Sequence, residues 1–462
     1  MNIRPLKIIC LSLMIILCLG DGFRAKTIVF PFQVHTLEKK NHQWLGRAIS
    51  FYISIGLELN SIEPIADSTV QSILNTYNIP FPFIITKATC MKLSNLFEAD
   101  YVIWGEVVSS ENPQTHNVQI KTYIIDLKHF SQKYLPLLKF HLIDFYVVQR
   151  ELLNMVLNYF QKKPPQFPEL NLDYHHYEMF IKSLLLEDSQ KKLALLERVY
   201  RDIHDSDYLN FELAKCHLTL GNIKNTDHYA NKISDSTPFQ YPKDFIRGLV
   251  YYHNHHFNQA IDIFIELQKL KIFFSETTNN LGVIFLKNDT PSKSESYFID
   301  SIQSKKDPEV YVNYIKLLLD LGKNRVAKEN LKQALIYFPD DENLIRFFSY
   351  FLSQEKTRKQ LFSVFQKYIP QLSPSVSLPD VPYAVKNPFE LQTYDNYYHL
   401  NTFDSIMNDY RQGNIDRAIN KSQELMETNP FVTKLHQLLS EMHLKKNNQS
   451  LSKLYALSAE YL

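Results

Sequence analysis

The sequence predicts an α+β chain that is mainly helical, with a small α/β domain followed by an α-α superhelix of stacked hairpins. Three observations predict it. A beat of small residues and prolines returns every 33 or 34 residues through the second half. The first third instead sets short apolar runs among helical patterns. Glycine is scarce, at 10 of 462 residues, while Phe and Tyr number 31 and 28, a balance that suits packed helices better than loops. Hairpins repeated at a fixed period cannot bury their apolar faces alone, so they stack.

Residues 1–25 read as a secretory signal. Arg4 and Lys7 form a basic start, Ile8 to Leu19 an apolar run, and Gly20-Asp21-Gly22 a small-residue cleavage site. Cleavage is expected near Gly22 or Ala25. The run falls short of the about 20 residues of a membrane span, which leaves an uncleaved anchor as the alternative. Cys18 follows Leu17, where a lipoprotein signal asks for a small residue. Cys10 and Cys18 leave with the signal, and Cys90 and Cys216, one in each expected domain, are read as separate buried thiols.

Residues 26–163 form the α/β domain. Thr27 to Val34 is a buried strand, and Trp44 to Leu59 a helix whose Leu45, Ile49, Ile53 and Leu57 share one face. Asp67 caps a helix through Leu74, and Thr86 to Phe97 is a third. Ala99 to Val108 and Asn117 to Asp126 are strands, the second offering Val118, Ile120, Tyr123 and Ile125 to the core. Glu151 to Phe160 closes the domain as a helix. Helices over one sheet result. The segments Phe30-Pro31-Phe32, Leu45-Gly46-Arg47-Ala48-Ile49 and Ala99-Asp100-Tyr101-Val102 through Gly105 resemble the amino-terminal domain of TolB and related envelope proteins. That resemblance implies a docking or assembly unit. The β-propeller that follows it in TolB is missing here, so TolB's partners do not carry over.

Clustered prolines make residues 164–172 a linker. Repeats over 173–371 then start near Asp173, Asp207, Tyr241, Ser275, Pro308 and Glu342. In the best unit Ile315 and Leu318 lie on a first helix, Gly322 turns the chain, and Ala327, Leu331 and Ala334 lie on a second. Gly282 with Phe298, and Gly248 with Ala260 and Phe264, fall in register with it. A Pro-rich insertion at 372–398 interrupts the beat, but Val381, Tyr383 and Phe389 are too apolar for a plain linker and predict an ordered packing segment. Gly413, Ala418 and Asn429-Pro430 resume the pattern within 399–462, and Thr433 to Leu462 completes a last helical pair.

The repeat resembles the tetratricopeptide family. The resemblance implies a non-enzymatic adaptor whose first helices line a concave, partner-binding face. Outward residues there are Lys215, Tyr252, Asn279, Asn313 and Lys316, with Tyr252 as the aromatic anchor. The expected partners are proteins or extended peptides, and peripheral association with the envelope membrane is allowed for. Formal net charge is +1, with no basic field to attract nucleic acid. The expected location is periplasmic or otherwise on the cell envelope.

No cofactor or metal site is expected. His253-Asn-His-His256 falls at a turn with no Cys or acidic residue beside it, and is read as surface, as is His175-His176. No phosphate-binding glycine loop or nucleophile motif is present. Asp340, Asp341 and Glu342 sit between repeats as helix caps, and Phe347, Phe348, Tyr350 and Phe351 as core. Two alternatives stay open: a sensor whose first domain binds a small molecule, and an enzyme in 26–163 using Asp100, Glu106 or His116.

Overall fold

In β1 (Lys26–Val29) and β2 (Gln33–His35) the predicted opening strand is broken in two at Pro31. Proline has no N–H to give a sheet. The Phe30 N–H still reaches Ile103 O at 2.9 Å, but that of Phe32 turns away to Gly46 O at 3.1 Å. The molecule is seen in a computed structural model that describes residues 26–35, 44–58, 60, 62–65, 88, 99–109, 117–163, 173–186, 188–203, 206–235, 239–372, 377–389 and 400–462. The expected signal, the helix from Asp67 to Leu74, all of Thr86–Phe97 except Ala88, the linker 164–172, Cys90, His116 and the 373–376 and 390–398 parts of the insertion lie outside those residues. The chain divides into two compact units, residues 1–209 and 210–462.

In the first unit, α1 (Trp44–Glu58) and β3 (Glu63–Pro64) precede the long pair β4 (Tyr101–Ser109) and β5 (Asn117–Asp126). The hairpin β6 (Ser131–Tyr134) and β7 (Leu138–His141) follows, then α2 (Phe145–Tyr159). The sheet runs β3-β1-β4-β5-β6, with β2 also beside β4 and β7 also beside β5. β1 pairs in parallel with β3 and with β4, β2 pairs in parallel with β4, and β5 pairs antiparallel to β4. Leu45, Ile49, Ile53 and Leu57 of α1 are all buried, as their spacing predicts. Gly46 is required there, because a Cβ would stand 2.0 Å from Phe32 O.

Two local readings are corrected. Along β5, Val118, Ile120 and Ile125 are buried as read, and so are Thr122 and Ile124, whereas Tyr123 is only half-buried, on the face opposite Val118 and Ile120. Tyr123 stacks there on Trp104, 4.4 Å between ring centres. The closing helix begins at Phe145 rather than Glu151, since Phe145, Val148 and Leu152 continue one apolar stripe.

The first helical hairpin, α3 (Tyr174–Leu184) and α4 (Ser189–Asp202), belongs to this unit. Asp173 caps α3 by accepting from the His176 N–H at 3.0 Å. The buried Tyr177 ring lies 6.4 Å from Phe145, and its hydroxyl donates to Gln149 Oε1.

The second unit is a stack of helical hairpins. α5 (Asp207–Thr219), which begins just before the division, pairs with α6 (Ile223–Ala230). α7 (Gln240–His253) follows with α8 (Phe257–Lys269), then α9 (Phe274–Lys287) with α10 (Pro291–Ser304). α11 (Pro308–Asp320) with α12 (Asn324–Tyr337) and α13 (Glu342–Ser353) with α14 (Arg358–Phe365) complete the series. Residues 377–389, which bear the prolines, run without helix or strand. Beyond them come α15 (Leu400–Arg411), α16 (Ile415–Thr428), α17 (Thr433–Lys445) and α18 (Gln449–Tyr461).

Local chemistry fixes the repeat. Pro308 occupies the first turn of α11, where a missing N–H costs nothing, and Asp307 caps the helix. Asp341 caps α13 by accepting from the Leu344 N–H at 2.9 Å. Gly322 turns the hairpin with φ +72°, a left-handed conformation open to glycine. Thr226, Ala260, Ser294 and Ala327, spaced 34, 34 and 33 residues, are fully buried where second helices pack close. Phe347, Phe348 and Phe351 are core, and the ring of Phe348 meets Phe365, Phe431 and Tyr461. The last four helices thus share one core with the repeats.

Candidate functional site

The first helices of successive hairpins place Phe211, Phe245, Asn279 and Asn313 at intervals of 34 residues. Such a period brings one residue per hairpin to the same position on the stack. An extended segment lies against this column: the chain's own residues from Ser377 to Phe389, hereafter the strap. Increasing residue number in the strap runs toward earlier hairpins.

Carboxamides grip its backbone. Asn313 accepts the Ala384 N–H on Oδ1 at 2.9 Å and donates Nδ2 to Ala384 O at 2.8 Å. Asn279 Nδ2 donates to the same carbonyl at 3.1 Å, and Asn279 Oδ1 accepts from Asn313 Nδ2 at 2.9 Å. Two residues further, Asn280 takes the Lys386 N–H on Oδ1 at 2.6 Å and returns Nδ2 to Lys386 O at 2.9 Å. Alternate residues of an extended chain present both backbone groups on one edge. The three asparagines, all fully buried, read that edge as a neighbouring strand would.

Side chains fix the register. Lys386, 4 % exposed, sets its ammonium 3.1 Å from Asp307 Oδ2 and 2.7 Å from Glu309 Oε2. Asp307 is itself buried, so this ion pair is strongly coupled and removal of either partner strands a charge. Phe389 enters a box of aromatic edges formed by Phe211, Phe245 and Phe273, with ring centres 5.3, 6.1 and 5.4 Å away. Lys215 lies over this box, 5.0 Å from Phe211 and 5.9 Å from Phe389, and pairs with Glu212 at 2.8 Å. At the other end Lys316 donates to Val381 O and stands 5.0 Å above the Tyr383 ring. The Tyr383 hydroxyl donates to Asp320 Oδ2 at 2.6 Å, and burial together with that carboxylate holds the phenol's proton well above its usual range.

Four of the five residues read from the sequence, Lys215, Asn279, Asn313 and Lys316, therefore meet on the strap. Tyr252 stands apart near the end of α7, its ring 5.9 Å from Phe257. Burial raises its phenol pKa. Sequence reasoning missed Phe211, Phe245, Asn280, Asp307 and Glu309. The 34-residue step from Asn279 to Asn313, extended backwards, would have found the two phenylalanines.

The other candidates fall elsewhere. Asp100 accepts from the Lys26 N–H at 2.9 Å, while Glu106 faces Lys121 at 3.7 Å. Six residues of strand, about 20 Å, separate those two carboxylates. His253 ends α7 and His255, at φ +61°, forms the turn that follows. His176 is held between Asp173 and Asp202, which raise its pKa. Among the described residues no three His, Cys, Asp or Glu side chains are grouped to hold a metal, and Cys216 is buried outside any disulfide.

No protein-family model matches the sequence, and no curated protein matches it. Solved structures similar to it include a thermophilic TPR protein of Thermus thermophilus, 17% identical, covering 38% of this chain and 98% of its own, with a TM-score of 0.33. The apo form of the quorum sensor NprR from B. thuringiensis is 13% identical over 69% of this chain and 84% of its own, TM-score 0.37. The human IFIT1 dimer with PPP-AAAA is 12% identical over 68% of each chain, TM-score 0.32. At these scores none of them says what this chain binds.

Proposed function

We propose that this chain is an exported, non-enzymatic adaptor that binds partner proteins through the first-helix groove of its hairpins, while the 26–163 domain docks it to the cell envelope. One observation carries the binding half: the groove grips an extended segment through its backbone. Such a surface suits an unfolded or looped stretch of another protein. Its lining sets amides and the carboxylates of Glu212, Asp307, Glu309 and Asp320 against the two lysines Lys215 and Lys316, a balance with no excess of positive charge to hold the phosphates of a nucleic acid. The export half rests on the basic and apolar pattern of residues 1–25, and the docking half on the resemblance to TolB-type envelope domains.

Two measurements test the reading. Photo-crosslinkers placed at Lys215 and Lys316 in living cells are expected to join the chain to a few defined envelope proteins. Crosslinks that ignore these positions and gather elsewhere would remove the groove from the account. Amino-terminal sequencing of the mature protein is expected to begin near Gly22 or Ala25, and a start at Met1 would end the export claim.

A further inference from the structure

The groove already holds a ligand, and that ligand displays the groove's preference. We infer that the strap is a resident pseudo-ligand, and that a partner binds by presenting an extended segment of the same pattern in competition with it. The pattern is an aromatic residue, a small residue directly after it, a lysine or arginine three positions after the aromatic, and a phenylalanine six positions after it. Here these are Tyr383, Ala384, Lys386 and Phe389. This inference rests on the groove reading above and specifies its partner.

Each position has a physical reason. The position after the aromatic carries a small residue here, Ala384, and it is held through its peptide groups, on which Asn279 and Asn313 both close at 2.8 to 3.1 Å. The cation position faces Asp307, 2 % exposed, whose charge needs a counter-ion wherever the groove is covered. The Phe389 position lies among three aromatic rings, a site that a polar side chain would leave unfilled. The intervening residues are less constrained: Pro382 is exposed and Val385 half-buried. The hydrogen bonds from the three asparagines to Ala384 and Lys386 all use main chain on the ligand side, so a peptide of another protein makes the same ones.

A resident segment lowers the apparent affinity for a competitor by the fraction of time the groove is open. The test uses the full chain and a fluorescent synthetic peptide spanning residues 378–389. Wild type is expected to bind it weakly. A chain with Lys386→Ala and Phe389→Ala, which loosens the strap and leaves the groove intact, is expected to bind at least about tenfold more tightly. Adding Asn280→Ala should reverse that gain. If the loosened chain stays folded, with the helical content of wild type, and gains no affinity, the strap is a fixed structural part and the inference fails.

Should the loosened variant not fold, hydrogen exchange on wild type decides. Saturating peptide, but not a scrambled one, should speed exchange at Ala384 and Lys386. Exchange there that peptide leaves unchanged overturns the proposal. So does a concentration-dependent dimer that peptide dissolves, since it would assign the groove to a second copy's strap. Peptide binding without any groove crosslink in cells would instead retain this chemistry and sink the adaptor reading alone.

Discussion

Asn313 contributes three hydrogen bonds to one cluster: two to the Ala384 backbone and one to Asn279. Asn313→Ala leaves the Ala384 N–H without that acceptor and is expected to destabilise the second unit by about 2 kcal/mol, read by urea unfolding. His436 offers a different test. It is fully buried, with Nε2 donating to Pro430 O at 2.8 Å and Nδ1 accepting from Ser458 Oγ at 2.7 Å. Burial pushes its pKa down to about 4. The unfolded chain therefore binds the proton first as pH falls below about 6.5, so stability drops from there to about pH 4 and then levels. The loss at this one site approaches about 3 kcal/mol. His436→Gln removes the titration, so its disadvantage against wild type at pH 7 should narrow by pH 4.5. A constant gap across that range would show that His436 does not titrate differently on folding.

At the scale of elements, the hairpin pairs depend on glycine against a ring. A Cβ on Gly282 would come 2.7 Å from Phe298, and one on Gly248 would come 2.7 Å from Phe264. Both rings are fully buried and have nowhere to go. Gly282→Ala gains about 1 kcal/mol of helix propensity but is expected to lose about 2 to 3 kcal/mol of packing. A net fall in stability, partly restored by adding Phe298→Leu, would confirm the contact. This is also where the sequence was most readable. The Gly–Phe pairs, the caps at Asp173 and Asp341 and the turn at Gly322 each follow from local rules, and the helices begin within a residue of where those rules put them. The sheet was less legible. β6 reads Ser-Gln-Lys-Tyr, with no apolar face to announce a strand, and the break at Pro31 depends on a carbonyl of α1. The strap was legible as apolar, through Val381, Tyr383 and Phe389. Its place on the column of Asn279 and Asn313 was not, because 71 residues separate Asn313 from Ala384 and no period links them.

In the second unit taken whole, the strap changes how the stack holds together. Repeat arrays gain stability from neighbour to neighbour, so they can fray in parts. Here residues 381–389 touch α5, α7, α9 and α11 and couple hairpins that are not adjacent. Loosening the strap with Lys386→Ala and Phe389→Ala should thus broaden the urea transition of residues 210–462 and lower its apparent m-value. An unchanged slope with a shifted midpoint would mean that the hairpins are already cooperative without it.

The order of synthesis adds a clock to this arrangement. The ribosome makes Asn313 well before it makes Phe389, and 76 residues at about 5 to 20 residues per second take roughly 4 to 15 s. For that interval each newborn chain carries its asparagines and the Asp307 carboxylate with nothing yet made to cover them. A chaperone or an early partner meets the groove then with no strap to displace, and every later visitor must contend with a segment tethered beside it.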